Sequence, residues 1–192
     1  MQSPFKIIFK TNSTFSYLNE LPADKLNTRC NLIFMLIGMS TGFESFYRNL
    51  ARVETTVGNE YIILLWALSM IMGALLSLLF GKYIFTFILY GLNKLLKGTI
   101  EIVDLRSVLA YAFIPVILKL PIVLYLGLSG KLHHIDGFEL LLINALYIFI
   151  WLISIKILLI GLSRFNNFSI IKASVNASPI ILLGVVGYLF FL

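Results

Sequence analysis

Charge is the scarcest thing in this sequence. Only 12% of its 192 residues are charged, 59% are hydrophobic, and the mean hydropathy is +0.96. A soluble domain carries roughly twice that charged fraction, so a soluble globular fold is excluded. Cysteine is almost absent too. Cys30 stands alone, which excludes an intramolecular disulfide and any multi-thiolate zinc site. Carboxylates are missing from mid-membrane positions: Glu20, Asp24, Glu44, Glu54, Glu60, Glu101, Asp104, Asp136 and Glu139 fall in tails, loops or span ends. A proton-coupled transporter places such groups inside the bilayer, so that class is disfavoured. There is no HExxH, no Gly-rich phosphate loop, and no Ser–His, Cys–His or paired-carboxylate arrangement. The chain reads as non-enzymatic, with no catalytic residue, no cofactor and no metal. His133, His134 and Asp136 lie close together, but adjacent histidines diverge on a regular backbone, and a solvated loop is the simpler reading. No Lys/Arg run with interleaved aromatics points to nucleic acid.

What remains is a series of apolar runs that predicts an all-α integral membrane protein with about five transmembrane helices plus an interfacial helix. Residues 1–30 are mixed and read as a cytoplasmic N-terminal tail, with FKIIFK as a small interfacial anchor or a loosely ordered end. No cleavable secretory signal is evident. The transmembrane domain covers 31–192. Its spans are expected at about 31–46, 61–81, 106–128, 139–162 and 169–192. The first has a short apolar core and is tilted, locally thinned or re-entrant. After Lys82 the apolar segment runs on to Lys94 and Lys97. Either a second helix lies in the interface there, or one long helix snorkels Lys82. The first is favoured, because the uncharged run is too short to cross alone.

The net charge of +6 sits mostly between spans, where it orients the chain and meets anionic lipid headgroups. With the N-terminus cytoplasmic, the inner segments hold Lys6, Lys10, Lys25, Arg29, Lys82, Lys94, Lys97, Arg106, Arg164 and Lys172. The outer loops hold only Arg48, Arg52 and Lys131. Five spans then put the C-terminus outside.

The densest stretch is GTIEIVDLRSVLAYAFIPVILKLP, from Gly98 to Pro121. Asp104 is expected as its N-cap. Pro115 removes the donor for the Tyr111 carbonyl, and Pro121 does the same to Ile117, so both are expected to kink the third span against protein rather than lipid. Lys119 lies between them, about 14 Å of helix from the outer end. Its ammonium either snorkels or lines a pocket opened by the kinks.

Gly98 followed by LRSVLAYAFIP, with Tyr111 and Pro115 in a Tyr-x-x-x-Pro helix, resembles the Yip family of membrane proteins, named for binding Ypt/Rab GTPases. A second stretch, from Trp151 through ILLIGLSRFNNFSIIKA, is similar to that family's fourth loop. The resemblance covers about residues 30–190. It implies a polytopic bundle in which Gly98, Arg106, Tyr111, Pro115 and Pro121 mark the family motif and its kink. The eukaryotic Asp-Leu-Tyr-Gly-Pro motif is missing before the second span, and the N-terminal region is short; both argue against a Rab-type GTPase as partner. The compact form is similar to prokaryotic members, which implies a bacterial inner membrane and other membrane proteins as partners, a transporter complex among them. The function expected is that of a non-catalytic scaffold or accessory subunit that binds membrane proteins or shapes the bilayer. The alternative is a small transport or channel-like protein with a pocket at Pro115, Lys119 and Pro121.

Overall fold

The computed structural model describes residues 4–57, 59–128 and 137–191, and among them it contains helices and no strand. The short helices α1 (Lys6–Phe9) and α2 (Thr11–Asn19) lead into α3 (Ala23–Arg48) and α4 (Leu50–Val57). Helix α5 (Ile62–Ser77) passes through a π-helical stretch, Leu78–Phe85, into α6 (Thr86–Leu95). Then come α7 (Ile102–Ala112), a 3-10 segment (Ile114–Leu118), α8 (Lys119–Leu128), α9 (Gly137–Asn166) and α10 (Ile170–Phe191). His133, His134 and Asp136 lie outside the described residues.

Three of these runs are long and apolar enough to cross a membrane: Ile62–Leu95, Ile102–Tyr125 and Gly137–Asn166. Helix α3 has the length, at 26 residues, but Asp24, Lys25, Arg29, Glu44 and Arg48 lower its hydropathy. Helix α10 adds an apolar run from Ile170 to Val186. Pro179 does not break it: the carbonyl of Val175, which Pro179 leaves without its helical donor, accepts from the Ser178 hydroxyl at 2.8 Å. The chain is a multi-pass, all-α membrane protein.

The centre of the bundle is α7. Leu105, Val108, Leu109, Ala110 and Ala112 are buried along α7, whereas Ala74 is the one buried residue of α5. Helices α3, α6 and α9 pack around α7. The N-terminal segment joins this core. Ile7, Phe15 and Leu18 are fully buried, Phe15 meets Phe165 edge-to-face at 5.8 Å, and Arg164 donates to the Asn12 carbonyl at 3.0 Å and to the Ser16 hydroxyl at 2.8 Å. Ile7 and Ile8 of FKIIFK thus find a protein surface, whereas Phe5 and Phe9 stay exposed.

The α3–α5 contact is closer than any apolar packing of large side chains allows. A Cβ placed on Gly38 would clash with the Gly73 carbonyl and lie 2.6 Å from Ser77 Cβ. One placed on Gly42 would clash with the Ser69 carbonyl, whose carbon lies at 3.0 Å. Gly38 and Gly42 form a GxxxG face, and Ser69, Gly73 and Ser77 form its small-residue counterpart. The close approach lets the Ser69 hydroxyl donate to the Gly42 carbonyl at 2.7 Å, from one helix to the other.

The break expected after Lys82 is absent. The segment 83–97 is not an element of its own, because the helix runs unbroken from Ile62 to Leu95, 34 residues. At 1.5 Å per residue that is about 51 Å, well beyond a hydrocarbon core of roughly 30 Å. The π stretch reconciles the charge with this continuity. Each i→i+5 bond widens the turn and rotates the next residues of the helix about its axis. Gly81 faces the Phe34 ring, whose carbons lie 2.8 Å from where its Cβ would be. Lys82 turns inward and is only 8% exposed.

Candidate functional site

The motif at Gly98 is built by a helix end. Lys97 adopts a left-handed conformation with φ 59°. Its N–H donates to the Lys94 carbonyl at 3.1 Å, and that of Gly98 to the Asn93 carbonyl at 2.8 Å. These two bonds make a Schellman motif that satisfies the last carbonyls of α6. Gly98 is required for a second reason. A Cβ there would clash with the Asn93 amide oxygen and lie 2.6 Å from Asn166 Oδ1. Its absence lets two asparagines close over the loop. Asn166, at the end of α9, accepts from the Ile100 N–H at 3.0 Å and donates to the Leu162 carbonyl at 3.1 Å. Asn176, on α10, donates to Asn93 Oδ1 at 3.4 Å. Helices α6, α9 and α10 are therefore tied together at this loop. The α9 end repeats the device, with Asn167 at φ 53° and the Phe168 N–H on the Ser163 carbonyl at 2.9 Å. Asparagine tolerates that conformation better than lysine does.

The start of the third span differs from expectation. The helix begins at Ile102, and Glu101 takes the N-cap position with φ -79° and ψ 156°, making no side-chain cap hydrogen bond. Asp104 lies in the first turn instead, where its carboxylate faces the positive end of the helix dipole. The chain leaves the loop in extended form only up to Glu101, so the cap falls three residues earlier than the Asp-Leu-Arg pattern indicates.

The two prolines fall in different elements. Helix α7 ends at Ala112, and Pro115 lies near the start of the 3-10 segment, where a missing N–H costs least. Pro121 lies in the first turn of α8. The span is interrupted by one 3-10 segment, which contains Pro115 and ends three residues before Pro121. Tyr111 is buried at the end of α7. Lys119, the first residue of α8, places its ammonium 4.1 Å from the centroid of the Tyr147 ring on α9. That cation–π contact gives the charge a partner inside the bundle. Glu44 and Arg48 of α3 are ion-paired at 3.0 Å.

A groove of about 560 Å³ runs between α3 and α5, with Phe34, Thr41, Gly42, Gly73, Gly81 and Phe113 in its wall. Its volume falls in the roughly 300–1,000 Å³ range of ligand sites. Phe113 and Val116 bring the 3-10 segment to its edge, whereas Lys119, Pro115 and Pro121 are not in its lining. Near its Gly81 end stand two cations. Lys82 Nζ lies 5.2 Å from the Tyr83 ring centroid and Arg106 Cζ 5.7 Å from the same ring.

The arrangement joins helices and offers surfaces. Among the described residues, no group of three His, Cys, Asp or Glu side chains converges to hold a metal. The residues that hydropathy reasoning passes over are Gly38, Gly42, Ser69, Gly73, Asn93, Asn166 and Asn176. The GMSTG spacing on one helix and Ser-x-x-x-Gly-x-x-x-Ser on the other were available as a signal; the asparagines carried none.

The chain was compared with known proteins. The family model described as the Yip1 domain matches residues 5–191, nearly the whole length. No curated protein and no solved structure matches the chain.

Proposed function

We propose, from the premise that this chain belongs to the Yip1 domain family, that it is a non-catalytic membrane scaffold that docks another membrane protein on the outer face of α5. The observation that carries this reading is the uneven cover of the bundle. The central helix is enclosed, while α5 buries only Ala74 and presents Leu64, Leu68, Ile71 and Leu75 away from α3. In lipid an apolar face gains nothing from burial alone, so helices associate through packing shape and polar contacts. Helix α5 is held close against α3 by the glycine stripe and the Ser69–Gly42 bond, and a face fixed in this way is suited to pack against a partner helix. The N-terminus is on the cytoplasmic side of the inner membrane in this reading, and the basic residues of the inner segments support it.

Two measurements test the reading. Purification from native membranes in mild detergent is expected to yield a membrane protein in fixed stoichiometry, and Ile71→Arg is expected to release it while the bundle stays monodisperse. A wild-type protein that purifies alone contradicts the scaffold role. Reporter fusions at Asn12 and after Phe191 are expected in opposite compartments, with the first cytoplasmic; the reverse orientation overturns the topology.

A further inference from the structure

We propose that Lys82 and Arg106 hold the phosphate of one anionic phospholipid of the inner leaflet, with an acyl chain of that lipid lying in the α3–α5 groove. The inference does not depend on the docking of a partner protein.

Charge carries the first half of the argument. Arg48 is paired with Glu44, Lys119 faces Tyr147, and Arg164 is bonded to Asn12 and Ser16. Lys82 and Arg106 differ in having to share one partner, the Tyr83 ring. Among the described residues, no carboxylate lies within ion-pair distance of either; Asp104, two residues before Arg106, is not paired with it. Lys82 is 8% exposed, and the Arg106 Nε is buried without a hydrogen-bond acceptor. Both stand within 6 Å of one aromatic ring, Tyr83. Two like charges at one ring repel each other, and the buried Lys82 also bears a desolvation cost. An anion between them removes both penalties. A phosphate suits the pair, because the guanidinium fork grips two of its oxygens while the ammonium acts as a point charge.

Shape carries the second half. Lys82 follows Gly81, which is in the groove wall, and the groove continues along α3 from Phe34 to Ser45. That distance is about 16 Å of helix, close to half of the roughly 30 Å hydrocarbon core. An acyl chain anchored at Lys82 therefore reaches about the bilayer midplane. Gly42, Gly73 and Gly81 open the trough between larger apolar side chains such as Phe34, Phe80 and Phe113, and the wall is mainly apolar. The inner-leaflet assignment rests on the charge count that places Lys82 and Arg106 on the cytoplasmic side. A zwitterionic lipid would bring its own ammonium toward Lys82, so the headgroup is anionic with no cation of its own, as in phosphatidylglycerol.

The test is native mass spectrometry of the full chain, delipidated and then titrated with phosphatidylglycerol or phosphatidylcholine. One tightly held phosphatidylglycerol per chain is expected, with phosphatidylcholine bound roughly tenfold more weakly. In Lys82→Met the preference for phosphatidylglycerol is expected to vanish. Without lipid, that variant is expected to unfold at the same or higher temperature than wild type, since an unpaired charge has gone; this separates loss of the site from loss of the fold. Met72→Trp, which fills the groove from its exposed rim, is expected to weaken both lipids alike. Lys119→Met, outside the site, is expected to leave the preference intact. Equal retention of the two lipids by wild type, or an unchanged preference in Lys82→Met, overturns the proposal. So does a photo-crosslinker at Met72 that captures a protein segment in place of lipid.

Discussion

Replacing Gly73 by alanine adds a single methyl group at the tightest point between α3 and α5. The new Cβ would clash with the Gly38 carbonyl oxygen, with Gly42 Cα at 3.0 Å and the Gly38 carbonyl carbon at 3.1 Å. All of these are backbone atoms, so no side chain can rotate away, and the helices must separate. Separation stretches the Ser69 bond to the Gly42 carbonyl, now 2.7 Å. Overpacking of this kind costs about 1–3 kcal/mol, and an interhelical hydrogen bond in a membrane contributes about 0.6 kcal/mol. Alanine's better helix propensity returns about 1 kcal/mol. The expected net loss is about 1–2 kcal/mol, dominated by the overpacking. Gly91→Ala is the matched control, because nothing lies within 4 Å of a Cβ at Gly91, and it is expected to gain up to about 1 kcal/mol. Both substitutions are chemically identical and lie on the same continuous helix. Unfolding by titration of a denaturing detergent into mixed micelles, followed by circular dichroism, measures each. If Gly73→Ala proves as stable as Gly91→Ala, the close α3–α5 approach is refuted.

Three further outcomes are expected from the same assay. Lys97→Gly relieves a left-handed lysine and should stabilise by about 0.5–1 kcal/mol; a loss would mean that the lysine side chain holds the loop. Gly98→Ala should destabilise by about 1–3 kcal/mol, because the asparagines that meet there must retreat and leave the Ile100 N–H without its acceptor, and Asn166→Ala should cost a similar amount through the same N–H. Tyr147→Leu should cost about 1–2 kcal/mol by stranding the Lys119 ammonium, and adding Lys119→Met should restore most of it; additive losses would show that the pair does not interact.

The long apolar runs are the part of the fold that composition reveals. Hydropathy locates α7, α9, α10 and the run from Ile62 because the bilayer selects for length and apolarity alone. It is blind to what happens between helices. Gly38 and Gly73 appear in a hydropathy profile only as small, weakly apolar residues, yet their backbones set the α3–α5 distance. The Asn93–Asn176 and Ile100–Asn166 bonds join residues 83 and 66 positions apart, and local sequence holds no record of them. Asp104 was expected as a cap from its residue type, but the extended backbone that defines a cap falls at Glu101. The N-terminal segment was expected as a tail because its charges average out its apolar residues. Ile7 on α1 is nonetheless buried where α1 meets α9, and Phe15 and Leu18, one turn apart, are buried on α2, which packs on α7 and α9. Within the Gly98–Pro121 stretch, the importance of the loop and the proline region was legible. The 3-10 geometry, and the Tyr147 partner of Lys119 on another helix, were not.

The most direct test of the scaffold reading is a photo-crosslinking scan along α5 in native membranes, with a crosslinking amino acid placed in turn at Leu64, Leu68, Ile71, Ala74 and Leu75. Docking of a partner helix predicts one discrete protein adduct at Leu64, Leu68, Ile71 and Leu75 and none at Ala74, which is buried against the bundle. Lipid adducts alone at all four exposed positions would contradict it.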